Sequence, residues 1–579
     1  MKRVIFYTAA ALMMAGSVLT GCSGADEMAD VQPETQKTFR LSVNASKGAA
    51  TRTLTDDGTS LSAAWNSTDV VAVYKGETKV GELTPESAAA TSKLTGEVTG
   101  VEVNDNLVLK FGVPDNYAAQ DGTLDGIDAT CNYAEAEVTV TEIAGDAVTT
   151  TDAAFENQQS IFRFSISDYQ GDPLSVDNLV ISIAGVTVVT VTPSEAKSEL
   201  YAALPAVAEA SDFQFDATSG TDNYSLAKKD ATVTAGKFFT SSLKMQRVRN
   251  LSALSAELVA QDGDILTGTA PSNYKISVAD GATVTLKDVD ITSFDSEGPK
   301  YAGINCIGDA TLSIEGENHV KGANNECSGI HVPEGKTLTI EGSGKLTAES
   351  NGYGAGIGAG YYWGTAGNIV INSGEIIAIG GGDNAGIGAG TERACGDITI
   401  NGGVVTATSK YQAGIGCGYH SKCGKITITG GTVTATGGGG DGGAGIGAAY
   451  ESASCGDITI SGGNVTATGG NNSAGIGSGY KSSSCGNILI SGGTVKATGG
   501  SYGPGIGTGA TWYHGYQSSC GDITITGGTI IATKGGGTYD IGPGDGRGYA
   551  AGTCGTVTIG AGIVIKDENG DSATIYVAS

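Results

Sequence analysis

Three kinds of residue recur along the second half of this chain at a spacing that could assemble chemistry. Cysteines stand at Cys395, Cys423, Cys455, Cys485, Cys520 and Cys554, 28 to 35 residues apart. Tyrosines stand four residues after the isoleucine of a repeated Gly-Ile-Gly marker, at Tyr361, Tyr419, Tyr450 and Tyr480, with Thr391 interrupting the series. Trp363, Trp512 and Tyr513 fall near the same point of the repeat, and Asp397, Asp457 and Asp522 share a third position with Asn368, Lys425 and Asn487.

What these columns can do depends on whether residues one repeat apart are neighbours in space. If they are, the thiols are candidates for a disulfide ladder, because strands ~5 Å apart lie within the Cα separation a disulfide spans. A straight column cannot wrap four sulfurs tetrahedrally around zinc, so no metal is expected there. Ala366 at the matching place supports a plainer role, a small apolar residue in a tight corner. Aromatic rows about one sugar ring apart could stack on a glycan, with Asp, Asn and Thr supplying hydrogen bonds. A tyrosine stack that only covers the turn is the structural alternative.

The carboxylate column alternates with Lys and Asn and reads as a solvated row of mixed polarity. The four histidines, His319, His331, His420 and His514, form no His-Glu-x-x-His pattern, and no paired-Cys zinc spacing occurs. No catalytic residue is therefore assigned and no cofactor is expected. With 61 Asp+Glu against 33 Lys+Arg, the formal charge is −28, which argues against a nucleic-acid partner needing a basic face.

The elements that must position these residues follow from the repeat itself. The marker isoleucines are Ile357, Ile387, Ile415, Ile446, Ile476 and Ile506, spaced 30, 28, 31, 30 and 30, with weaker copies at Ile304, Ile330 and Ile541. Between markers run Cys395-Gly396-Asp397-Ile398-Thr399-Ile400 and then segments such as Gly431-Thr432-Val433-Thr434-Ala435-Thr436. Three short alternating strands separated by Gly turns in ~30 residues describe one coil of a parallel β-helix, each coil stacking at ~4.8 Å on the last. About ten coils are expected from Ile265 onward on that spacing. Alternation turns Ile398, Ile400, Val405 and Ala407 inward and Asp397, Thr399, Thr406 and Thr408 outward. The segment from Ile563 to Val577 is expected to close the end as a hairpin, with Asn569-Gly570 at its turn. Such an array resembles the right-handed pectate-lyase-like β-helices, which implies calcium-binding carboxylates and a basic residue in a groove; no Arg or Lys here is obviously placed as that base.

The first 246 residues have a different grammar. Lys2 and Arg3 precede an apolar run from Val4 to Leu19 that ends Leu19-Thr20-Gly21-Cys22. This resembles the lipobox of bacterial lipoproteins, which implies a signal peptide over 1–21 and acylation of Cys22. The acidic stretch Ser23-Gly24-Ala25-Asp26-Glu27, within a tether over 22–37, resembles the surface-export signal of lipoproteins in gut-type Gram-negative anaerobes. The expectation is a protein lipid-anchored in the outer membrane and exposed at the cell surface.

Residues 38–246 alternate with period two, as in Phe39-Arg40-Leu41-Ser42-Val43 and Ile161-Phe162-Arg163-Phe164-Ser165-Ile166, which predicts antiparallel β-sandwich structure. Thr51-Arg52-Thr53-Leu54, Ala64-Trp65-Asn66-Ser67-Thr68-Asp69-Val70-Val71-Ala72-Val73-Tyr74, Leu200-Tyr201-Ala202-Ala203-Leu204-Pro205 and Ala235-Gly236-Lys237-Phe238-Phe239 together resemble the fimbrillin family. That resemblance implies a two-lobed β-sandwich lipoprotein and, in pilus subunits, processing after an Arg, a role open to Arg40 or Arg52. The large array at 247–579 departs from a pilus stalk subunit and fits a tip, accessory or unpolymerised surface protein better. The chain is thus expected to be all-β, a β-sandwich base carrying a parallel β-helix that binds a glycan or a host surface without catalysis. The alternatives are a polysaccharide lyase or hydrolase on the β-helix, or an accessory or tip subunit with fimbrial partners.

Overall fold

A computed structural model describes residues 37–47, 55–56, 61–62, 64–112, 117–271, 274–292, 300–350, 352–361, 364–440, 442–511, 516–546 and 551–577. The signal peptide, Cys22, Arg52, Trp363, Trp512 and Tyr513 lie outside these residues. The chain divides into two compact units, the first built from 37–47, 64–111 and 135–156 and the second from 55–56, 61–62, 112, 117–134 and 157 onward.

In the first unit, period-two sequence becomes period-two burial. Strand Thr38–Lys47 turns Phe39, Leu41, Val43, Ala45 and Lys47 inward and the intervening residues mostly outward. It pairs antiparallel with Thr91–Thr99 on one side and parallel with Ala153–Asn157 on the other, so the sheet closes on itself. Closure removes the free edges that an open sheet would expose. The inward Lys47 is neutralised inside the core: its Nζ lies 2.9 Å from Asp69 Oδ2, with neither side chain exposed. The same Nζ lies 4.4 Å from the Trp65 ring and 4.5 Å from the Phe111 ring, a cation–π lining.

The second unit begins with a sandwich lobe. A three-stranded sheet, Glu199–Leu204, Ser160–Ser167 and Phe238–Lys244, packs through Ile161, Phe164, Leu200 and Leu243 against Leu179, Ile181, Val189, Phe213 and Phe215 of a second sheet. That second sheet does not stop at the lobe. Asp222–Val233 pairs antiparallel with Gln246–Asn250, which pairs parallel with Ile265–Thr269 and leads into the repeat region. Arg247 on this linking strand donates to Asp264, Nε to Oδ1 at 3.0 Å and Nη2 to Oδ2 at 3.3 Å. Lobe and array are one hydrogen-bonded sheet here.

From Leu258 on, the coils stack their strands row upon row in parallel register. One row of eleven short strands runs from Leu258–Ala260 to Ile541–Gly542, so the array starts slightly earlier than Ile265. A six-stranded row runs from Ala394–Cys395 to Thr553–Cys554, and the long sheet contributes two strands per coil, such as Ile398–Ile400 and Val404–Ser409. Ile398, Ile400, Val405, Ala407 and Ile415 are fully buried in one continuous core with their counterparts above and below. The marker glycines explain themselves: Gly388 has φ 131°, and a Cβ there would meet the Gly416 carbonyl oxygen of the next coil at 2.1 Å. Only glycine allows both that backbone and that approach.

The end differs from a simple hairpin. Ile565 pairs with Ile530 and Ile575 bridges Ile541, both parallel, so the rows continue for part of another coil. The bridge between Lys566 and Ser572 is antiparallel, around a turn that contains Asn569 and Gly570.

Candidate functional site

Each marker turns the chain back sharply. Ala385 N–H donates to the Ala389 carbonyl at 3.2 Å, and Ala444 to Ala448 at 3.0 Å. The small residues Ala359, Ala389, Cys417, Ala448, Ser478 and Thr508 fill the inside of these turns and are fully buried. The loop that follows each turn carries the tyrosine column on a fixed base.

Tyr419, Tyr450 and Tyr480 do stack, with ring centroids 6.1 and 5.7 Å apart and planes within 24° and 29°. Their faces are turned to one another, however, and Tyr480 is only 3% exposed. The more exposed rings lie around this trio instead. Tyr361 (37% exposed) lies 6.2 Å from Tyr353, and the Arg393 guanidinium sits 5.5 Å over the Tyr361 ring while its Nε donates to the Tyr361 carbonyl. Thr391 interrupts the column because its hydroxyl is spent inside, donating to the Asp383 carbonyl and meeting Asn384 Oδ1, each at 3.0 Å.

The loops add charge beside the rings. Lys481 Nζ lies 2.8 Å from Glu451 Oε1, donates to the Tyr450 hydroxyl at 3.3 Å, and stands between the Tyr450 and Tyr516 rings at 5.3 and 5.4 Å. Partial burial would raise the Glu451 carboxyl, but the hydrogen bond and charge of Lys481 overcome it and hold the group below its ordinary value. The bond to Glu451 pushes the Lys481 ammonium well up. Burial raises the Tyr419 phenol. Lys481 and Glu451 are therefore held as a charged pair, unsuited to exchanging protons near neutral pH. The pair was readable as Tyr450-Glu451 and Tyr480-Lys481 one repeat apart, a signal that the column of rings obscured.

The backbone at this corner is unusual. Six of the eleven described non-glycine residues with left-handed φ lie here: Glu392, His420, Glu451, Ser452, Lys481 and Ser482. The conformation aims N–H groups along the stack. Glu392 donates to the Tyr419 carbonyl, Glu451 to Tyr480, Ser452 to Lys481 and Ser482 to Tyr516, at 2.8 to 3.1 Å. Backbone strain of this kind concentrates where the surrounding structure over-determines a geometry.

The acidic column has a structural duty. Asp397 Oδ1 accepts the Lys425 N–H at 2.7 Å, Asp457 Oδ1 that of Asn487 at 2.9 Å, and Asp522 Oδ1 that of Thr556 at 2.8 Å. Asn368 and Asn487 do the same for Asp397 and Asp522. Each side chain ties its coil to the next, which is why Asp and Asn interchange there. The sequence reading of a merely solvated row missed this bond.

Cysteines form a true column. Cys395, Cys423, Cys455, Cys485, Cys520 and Cys554 are in-register partners along their sheet, and all but Cys554 are buried. Cys417 joins them sideways, its Sγ 3.4 Å from that of Cys423. A hydrogen bond with Cys423 favours the Cys455 thiolate, but burial outweighs it and pushes that thiol up to about 11. Among the described residues, no cluster of three or more His, Cys, Asp or Glu could hold a metal ion. Arg40 is exposed within the paired strand Thr38–Lys47.

Known proteins add one clear match. The Beta helix repeat family matches residues 338–361, 398–419, 426–450, 458–480 and 488–510. No curated protein matches the chain. Among solved structures, a Bacteroides uniformis protein provisionally described as a cell adhesion protein is 11% identical over 36% of this chain and 96% of its own, with a TM-score of 0.22. A similarly described Bacteroides ovatus protein is 12% identical over 37% and 96%, with a TM-score of 0.23. The C-terminal fragment of the pilus adhesin SpaC from Lactobacillus rhamnosus GG is 15% identical over 35% and 97%, at 0.13. At such scores these likenesses carry no functional argument. The repeat match and the stacked rows agree: the second part of this chain is a parallel β-helix built from beta helix repeats.

Proposed function

We propose that this chain is a non-enzymatic surface adhesin whose β-helix presents the tyrosine corner to a glycan. In this reading a fimbrillin-like base holds the helix out, and acylation of Cys22 anchors it in the outer membrane. The observation that carries it is the corner itself. Tyr353 and Tyr361 at the start of the column, and Tyr516 beside the Glu451–Lys481 pair, are partly open to solvent on loops fixed by an unbroken apolar core. Aromatic faces suit the C–H faces of sugars, and a fixed carboxylate and ammonium suit their hydroxyls.

Two features favour binding over lyase or hydrolase chemistry. The Asp column is spent on holding coils together, and the corner's pair is locked in its charged forms. The test is a glycan array with the full chain, the Tyr361→Ala/Tyr516→Ala double variant and Lys481→Ala. The double variant removes the Arg393 and Lys481 contacts of these rings, so its melting is measured beside the parent's to separate lost binding from lost folding. The expected result is saturable binding by the parent, lost in the double variant and weakened in Lys481→Ala. A parent that retains no glycan, or a double variant that binds as the parent does, overturns the reading.

A further inference from the structure

The cysteine column is a repeated feature that the binding face leaves unused. Its partners are in parallel register, and such strands stand about 4.8 Å apart, inside the Cα separation that a disulfide spans. The last pair differs from those before it in exposure. Cys554 lies on the final rung and is half-exposed, whereas Cys395, Cys423, Cys455, Cys485 and Cys520 are buried. The Cys554 Sγ also approaches the Cys520 Sγ to 2.8 Å.

We propose that Cys520 and Cys554 are oxidised to a disulfide that staples the final coil to the one before it, while the other thiols of the column stay reduced. The oxidant is a disulfide, either a small molecule or a protein. The Cys554 thiolate attacks its S–S bond and expels one thiolate, leaving a mixed disulfide on Cys554. The Cys520 thiolate then attacks the Cys554 sulfur and expels the second. Two electrons pass to the oxidant, and the two protons lost by the cysteines end on its two thiols.

In the folded column this exchange is slow. A hydrogen bond with Cys485 pushes the Cys520 thiol up, and one with Cys520, reinforced by burial, does the same for Cys554. The bond forms at the final rung, where Cys554 stays accessible to the oxidant and the Cys520 Sγ lies within its reach. The deeper thiols have no exposed partner, and their coils seal them against the oxidant.

The test is peptide mapping of the full chain after refolding in glutathione disulfide. The protein is denatured in N-ethylmaleimide without reductant, digested and weighed. A cross-linked peptide joining Cys520 to Cys554 is expected, with Cys395, Cys423, Cys455 and Cys485 alkylated. Alkylated Cys520 and Cys554, or a link from Cys520 to Cys485, overturns the proposal. Thermal melting is the second measurement. Without reductant, Cys554→Ser should melt several degrees below the parent, and with dithiothreitol the two should coincide. A difference that persists equally in reductant would show a packing effect of the serine and defeat the stapling role.

Discussion

Glu451 and Lys481 occupy the same corner of successive coils, their charged groups 2.8 Å apart, and both hold left-handed backbone with φ of 54° and 64°. The strained backbone lets each residue donate its N–H, or that of its neighbour, to the coil above, and the ion pair closes the same step from the side-chain end. Two weak devices thus fix one corner, on which the proposed recognition surface stands.

That pairing sets a pH window. The Glu451 carboxyl is lowered on folding, so its contribution is present above the unfolded value of ~4.3 and disappears as pH falls through the folded value. The Lys481 ammonium is raised, so its contribution is present below ~10.4 and is lost as pH rises through the folded value. Glu451→Gln should therefore cost about 0.2–1 kcal/mol at neutral pH, the range for an ion pair that still reaches solvent. Melting curves of parent and variant should diverge above the unfolded value of ~4.3 and converge only as pH falls below the lowered folded value.

Asp457 tests whether its column is structural. Asp457→Ala leaves the Asn487 N–H without its side-chain acceptor and should cost about 1 kcal/mol. Asp457→Asn keeps an acceptor at the same place, as Asn487 does one coil later, and should melt with the parent. A loss in Asp457→Asn equal to that in Asp457→Ala would mean that the charge, and not the hydrogen bond, matters.

Marker glycines should be far less replaceable than turn glycines. Gly388→Ala forces a Cβ against the Gly416 carbonyl and is expected to cost more than about 2 kcal/mol or to prevent folding. At Gly562, with φ 81° and open space around it, alanine meets only backbone strain of about 1–2 kcal/mol. Urea unfolding of the two variants measures the difference.

The apolar stack should not tolerate charge. Ile460 is fully buried between Ile428 and Ile490, so Ile460→Asp places an unpaired carboxylate in a dry column. A loss of several kcal/mol, of order 3–5, is expected from denaturant titration. Thr459→Asp, one residue away on the outer face, should change stability by less than about 0.5 kcal/mol.

The thirty-residue cadence and the two-residue alternation by themselves determined much of this molecule. They name the coil, the buried isoleucines and the outward threonines, because a stacked solenoid needs nothing more than the same residue type returning at the same angular position. They also say which residues share a column. How column members meet was decided only in three dimensions. Tyr419, Tyr450 and Tyr480 turn their faces to each other, Asp397 reaches the Lys425 N–H, and Cys520 nears Cys554, because side-chain torsions and small offsets between coils decide contact over a few tenths of an ångström. Closure of the first unit's sheet belongs to the same class, since strand partners 50 or 100 residues away leave no local trace in their sequence. Period is a property of one strand, whereas contact is a property of two.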